Sequence, residues 1–222
     1  MSPLPVQMRN RWLNRVEPGP DRGTIYWHIL MHAYPEACSA ATDAQEILAD
    51  FPGLHMTPRQ WLHITTLVVG ATDEITRSQM SVMVSEAQRL LCDVAPIAVT
   101  LDKVLYHPEA IMLRTQPGDA LRPIFDAARS ATRKVVGRAG VIDEPFPLWM
   151  PHMTVSYSTT EQPAKPIVSA LGESIRERQI LVDSLTLVIQ WGPERLWDWE
   201  PVGTARLRAS GQAGQADPAH TS

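Results

Sequence analysis

Two tripeptides, His63-Ile64-Thr65 and His152-Met153-Thr154, each set an imidazole and a hydroxyl two residues apart in a run that favours β-strand. Side chains on a strand alternate between faces, so residues two apart share one. His63 therefore projects with Thr65, and His152 with Thr154. Imidazole titrates near neutrality, so two of them in one cleft supply a base and an acid together. Two hydroxyls can donate hydrogen bonds to oxygens on which charge builds. The set suits displacement at a phosphate without a covalent intermediate.

The tripeptide alone selects nothing, because four of the seven histidines have Ser or Thr two residues later: His55, His63, His152 and His220. His55 runs into Pro58 and fits a turn better than a strand. His220 belongs to the polar end of the chain. Only His63 and His152 lead into β-rich runs, Thr65-Thr66-Leu67-Val68-Val69 and Thr154-Val155-Ser156-Tyr157. No carboxylate or Cys lies two or three residues from either motif histidine, so neither a metal nor another cofactor is expected. No Gly-x-Ser-x-Gly motif supports a nucleophilic serine.

Other residues are candidate substrate contacts. His28, in Tyr26-Trp27-His28-Ile29-Leu30, sits on a strand that should border the cleft, although packing is the stronger reading. Trp61 precedes His63 by two, so it could share that face and stack on a base; core packing is its other reading. Tyr157 lies on the second motif strand. Arg114, like Lys103, lies on a strand where it could supply positive charge or simply meet solvent. His107, before Pro108, reads as a loop histidine. Trp149 shapes the entry to a strand, and Trp191, Trp197 and Trp199 form an aromatic segment that caps the second lobe.

The elements that must position these groups alternate. Strands are expected near 24–31, 61–69 and 96–106, with helices near 36–50 and 77–91 between them. The second half repeats the order: strand 109–116, helix 120–136, motif strand 151–157, helix 165–176 and strand 180–190. The interval from His63 to His152 nearly equals that from Thr24 to Glu109, so the pattern reads as a duplicated β-α-β-α-β unit. Packing about a pseudo-two-fold axis would bring both motifs to one cleft. Residues 1–23 read as an arm with little regular structure, 24–202 as one domain with lobes at about 24–106 and 109–202, and 203–222 as a disordered tail.

Composition sets the outer limits. The 222 residues are 44% hydrophobic, enough for a core, and carry a net charge of −4. Long duplex nucleic acid normally needs a basic face and is not an expected partner. Cys38 and Cys92 have no metal or redox spacing, which fits the reducing cytoplasm. There is no apolar signal core at the start and no run long enough to span a membrane.

With these motifs, their separation and the repeated order, the chain resembles the two-histidine (2H) phosphoesterase superfamily, in particular bacterial 2′-5′ RNA ligase-like proteins, over about residues 24–202. The resemblance implies an α+β, bilobal fold with antiparallel sheets lining a central cleft and helices outside. It also implies metal-independent cleavage of a 2′,3′-cyclic phosphate or a 2′-5′ linkage, with His63, Thr65, His152 and Thr154 at the catalytic positions. A small nucleotide or RNA-end phosphodiester is the implied partner, and a monomer is expected. One departure stands out. Many such proteins carry a basic residue shortly after the second motif, where this chain reads Val155-Ser156-Tyr157-Ser158. Three alternatives stay open: 2′-5′ ligation, non-catalytic binding of a nucleotide or RNA end in the same cleft, and a scaffold whose motif histidines are merely packed.

Overall fold

The computed structural model describes residues 4–13, 15–142 and 149–208. In chain order the described elements are β1 (Gln7–Met8), β2 (Gly23–Leu30), α1 (Pro35–Leu48), β3 (Leu54–Met56), β4 (His63–Ala71), α2 (Arg77–Leu91), β5 (Ile97–His107) and β6 (Ala110–Gln116). There follow α3 (Arg122–Val136), β7 (His152–Ser158), β8 (Gln162–Pro163), α4 (Ala164–Leu171), β9 (Ser174–Val182), β10 (Ser184–Trp191) and β11 (Trp199–Arg206).

The main sheet runs β11-β10-β2-β4-β7-β6-β5-β9, with β3 added beside β7. All its pairings are antiparallel. The fold is thus α+β with antiparallel strands, as the family resemblance implied. One residue pair, Ile64 opposite Met153, joins β4 to β7. Beyond it, β3 occupies the edge of β7 that β4 leaves, pairing Leu54 to Met56 with Ser158 to Ser156. The sheet therefore divides at the two motif strands.

The two lobes are not the chain halves 24–106 and 109–202. Strands β5 and β6 pair from Thr100–Gln116 to His107–Ala110, so the first half's last strand lies in the lobe of the second motif. Strand β10 pairs with β2, so a late strand of the second half lies in the lobe of the first motif. The helices exchange too. Helix α1 packs on β9 and against α4, while α3 packs on β4 and against α2. Exchange satisfies each unit's hydrogen-bonding edge with the other unit's strand and gives both sheets a helical cover.

Local sequence explains the element ends. Thr76 caps α2: its hydroxyl accepts from the Gln79 N–H at 3.3 Å, and the Gln79 side chain accepts from the Thr76 N–H at 2.9 Å. That reciprocal pair satisfies two N–H groups that would otherwise lack helical partners. Met80, Met83, Ala87 and Leu91 then fall on the buried face. Pro35 opens α1, where its missing N–H costs nothing. Helix α4 ends at Leu171 rather than near 176, because Gly172 takes φ +73°, a conformation that favours glycine. The expected strand at 180–190 is two, β9 and β10, separated at Asp183.

The described parts of the expected arm and tail are more ordered than composition implied. Within the expected arm, β1 pairs with β8, Met8 is fully buried, and the Arg11 N–H donates to the Ser158 carbonyl at 2.8 Å. Strand β11 runs to Arg206, past the boundary expected at 202, because it completes the edge of β10. The rest of the expected tail, from 209 on, and residues 143–148 before the second motif lie outside the described residues. His55 is not in a turn; it lies in β3 opposite Tyr157. Among the described residues, no helix is long and apolar enough to cross a membrane.

Candidate active site

The central pair Ile64–Met153 fixes the geometry of both motifs. Both side chains are fully buried in the core. By strand alternation, His63, Thr65, His152 and Thr154 project from the other face. All four line one cleft of about 320 Å³, together with Arg11 and Tyr157. His107, Ala110, Met112 and Glu194 complete the lining.

Each histidine is anchored in the same way. The Nδ1 of His63 lies 2.8 Å from the Trp61 carbonyl, and the Nδ1 of His152 lies 2.8 Å from the Met150 carbonyl. A carbonyl only accepts, so each Nδ1 carries a proton and donates it. The Nε2 atoms are therefore the ones left for chemistry, and they accept a proton when the ring is neutral.

Burial disfavours charge on these rings. It pushes the His63 imidazole down to about 4; the Trp61 carbonyl opposes the shift and His152 adds to it. His152 is also lowered by burial, opposed by the Met150 carbonyl and reinforced by His107. The Tyr157 hydroxyl is pushed up to about 12, chiefly by burial and also by Glu194, against the effects of Arg11 and a hydrogen bond with Thr154. It is a neutral donor at physiological pH.

His28 does not reach the cleft. It is 2% exposed, and its ring centroid lies 4.4 Å from that of His63, between Tyr26 and Trp199. Burial and then His63 hold its imidazole well below the usual range, so it acts as a neutral packing platform beneath His63. Trp61 also lies outside the lining. It sits in a turn, Arg59–Trp61, so strand alternation does not extend to it; its carbonyl holds His63 and its ring meets Trp199 edge-on at 5.2 Å. Arg114 is opposite His152 in register, but its guanidinium lies near Gly118 and outside the cleft lining. Of the four candidate contacts, Tyr157 alone lines the cleft.

Three polar lining residues escaped the sequence reading. His107 is not in a loop but is the last residue of β5, and its Nδ1 accepts from the Glu109 N–H at 3.2 Å. Its approach to His152 depends on the β6–β7 pairing, which no local pattern reveals. Arg11 and Glu194 come from opposite ends of the chain. The signal for Arg11 was weak but present: Trp12 is the single aromatic residue of the Pro- and Arg-rich arm, and it packs on His55 and Tyr157. The C-terminal tryptophans divide between the lobes: Trp197 packs on Tyr157 and His55 in the lobe of the second motif, as expected, and Trp199 does not. Trp199 opens β11 in the first lobe, edge-on to His63 at 4.6 Å, and Trp197 donates its indole N–H to His55 Nε2 at 3.2 Å. Trp149 ties the second motif's approach to the first motif strand, donating to the Thr65 carbonyl at 3.2 Å. Among the described residues, no group of three or more His, Cys, Asp or Glu is arranged to hold a metal ion.

A bilobal antiparallel sheet with paired His-x-Thr strands defines a class, and the sequence agrees with it: residues 35–194 match the 2′-5′ RNA ligase superfamily. The chain belongs to that superfamily. Solved structures share the fold. TT0787 of Thermus thermophilus is 17% identical with a TM-score of 0.62, over 84% of this chain and 99% of that one. E. coli LigT complexed with 3′-AMP is 15% identical with a TM-score of 0.60, over 84% and 99%. The MHV ns2 PDE domain is 12% identical with a TM-score of 0.53, over 76% and 99%. No curated protein matches the chain.

Proposed function

We propose that this protein is a metal-independent phosphodiesterase that opens a 2′,3′-cyclic phosphate, or cleaves a 2′-5′ linkage, of a nucleotide or RNA end. One observation carries the reading. Two histidines, each with Nδ1 held by a carbonyl, present Nε2 to a cleft that also holds two threonine hydroxyls. The phosphodiesterase-type relatives and the 3′-AMP on LigT support a small nucleotide as ligand.

The chemistry follows from the proton inventory. A neutral imidazole takes a proton from water as the water oxygen bonds to phosphorus. The second imidazole, protonated, gives its proton to the ribose oxygen as the old P–O bond breaks. His63 is the more strongly depressed of the two and is assigned the base; His152 is assigned the acid. Thr65 and Thr154 donate to the non-bridging oxygens. The reverse sequence joins a hydroxyl to a cyclic phosphate, so 2′-5′ ligation uses the same groups.

The test is hydrolysis of the four nucleoside 2′,3′-cyclic phosphates in EDTA by wild type and by His63→Ala, His152→Ala and the double variant. Each single variant should lose about 10²–10⁴ in rate. Equal turnover by wild type and both single variants would refute the assignment. Tight nucleotide binding with no product from wild type would instead favour a binding module.

A further inference from the structure

A phosphodiester is an anion, and a site built only from neutral imidazoles and hydroxyls would offer it no fixed positive charge. Among the described residues lining the cleft, Arg11 is the only Lys or Arg. It comes from the N-terminal arm, outside the duplicated unit. The arm is seated rather than loosely apposed: β1 pairs with β8, the Arg11 N–H binds the Ser158 carbonyl, and Trp12 packs on Tyr157. The guanidinium lies over the Tyr157 ring, 5.1 Å from its centroid. The arm thus delivers a cation to the position on the second motif strand where this chain has a tyrosine.

The partners of Arg11 are suited to exchange. One Nη binds Glu194 at 3.2 and 3.0 Å, the other binds Glu109 at 3.3 Å, and Nε is buried without an acceptor. Glu109 also pairs with Arg15, so it keeps a partner if Arg11 turns away. The Glu194 side chain is 39% exposed, so water can solvate it when Arg11 leaves. A planar guanidinium matches two oxygens of a phosphate as well as those of a carboxylate.

We infer that Arg11 is the phosphate-binding cation of this site, held at rest by Glu194 and Glu109 and transferred to the substrate's phosphate oxygens on binding. The inference rests on the phosphodiesterase reading for its substrate class. It makes the arm part of the active site and makes Glu194 an internal competitor of the substrate phosphate.

The two residues give opposite expectations, which a merely structural clip would not. Affinities for adenosine 3′-monophosphate, adenosine 2′-monophosphate and adenosine are measured by calorimetry on the full-length wild type, Arg11→Gln and Glu194→Gln. Arg11→Gln should weaken binding of the better-bound nucleotide about ten- to a hundredfold, the range for a hydrogen bond to a charged group, and leave adenosine unchanged. Glu194→Gln should tighten nucleotide binding and lower the KM for a 2′,3′-cyclic phosphate. If both variants instead weaken nucleotide and adenosine alike, Arg11 only holds the arm and the inference falls. It falls too if wild type binds neither nucleotide. Wild-type hydrolysis with an unchanged KM in Arg11→Gln would overturn the inference and leave the phosphodiesterase standing. Arg11-dependent nucleotide binding without wild-type hydrolysis would do the reverse.

Discussion

Ile64 and Met153, the middle residues of the two motifs, face each other across β4 and β7 and form the single pair that joins those strands. Their burial on the core side sets all four motif side chains on the cleft side. The contact is thus both a core contact and the alignment device of the site. Met153→Ala should cost about 2–5 kcal/mol, the range for truncating a buried large side chain. Denaturant unfolding reads the loss. Turnover of the folded fraction should fall as well, because the lobes lose their register. Met153→Leu, which nearly conserves volume, should recover most of both. Normal turnover in a destabilised Met153→Ala protein would show that alignment does not depend on this contact.

Thr65 and Thr154 are proposed as donors to the phosphate oxygens. Valine replaces threonine with the same shape and no hydroxyl, so it tests the hydrogen bond rather than the packing. Thr65→Val and Thr154→Val should each lower kcat by about 10²–10³, as for loss of one transition-state donor. Thr154 also bonds to Tyr157 and is 8% exposed, so its variant should lose some stability too. Steady-state kinetics in which both variants keep wild-type kcat would remove the hydroxyls from the mechanism.

The motif strands and the repeated order were legible because they rest on local alternation and periodicity. Helix α2 runs from Arg77 to Leu91, the range that its apolar spacing implies. What sequence could not give was partnership between distant segments. The exchange of β5 and β10 between lobes is decided by which sheet edge is free, a non-local property. Arg11, His107 and Glu194 reach the cleft only after those pairings form. Trp61 failed as a cleft residue for a local reason: Pro58 and the turn at Arg59–Trp61 end the strand geometry just before His63.

The helix exchange has its own buried marker. The Trp27 indole N–H, on β2, donates to the Thr132 hydroxyl of α3 at 3.1 Å, and that hydroxyl donates to the Ala128 carbonyl at 2.8 Å. Trp27 and Thr132 are both fully buried. Thr132→Val would leave a buried donor unpaired and should cost about 1–3 kcal/mol. Thr132→Ser keeps the hydroxyl and should lose less. Neither residue lines the cleft, so kcat and KM should hold in both variants. Equal melting temperatures for Thr132→Val and wild type would show that this bond does not anchor α3 to the first lobe.

The depressed histidines set the pH dependence, and the sign follows from which form each must take. In the free protein the His63 imidazole is pushed down to about 4, and His152 lies below its ordinary 6.5. The proposed mechanism needs His63 neutral and His152 protonated. Raising the pH through the His63 value creates the base; raising it further through the His152 value removes the acid. The profile of kcat/KM, which reports the free enzyme, should therefore peak on the acid side of 6.5 and fall tenfold per pH unit beyond its alkaline limb. A bound phosphodiester anion favours protonated imidazole, so the kcat profile, which reports the complex, should be displaced to higher pH. His107 also contributes electrostatically to lowering His152. His107→Gln should accordingly move the alkaline limb of kcat/KM upward while leaving the acid limb in place. A kcat/KM that climbs steadily from neutral into alkaline pH would contradict the assignment of His152 as the acid.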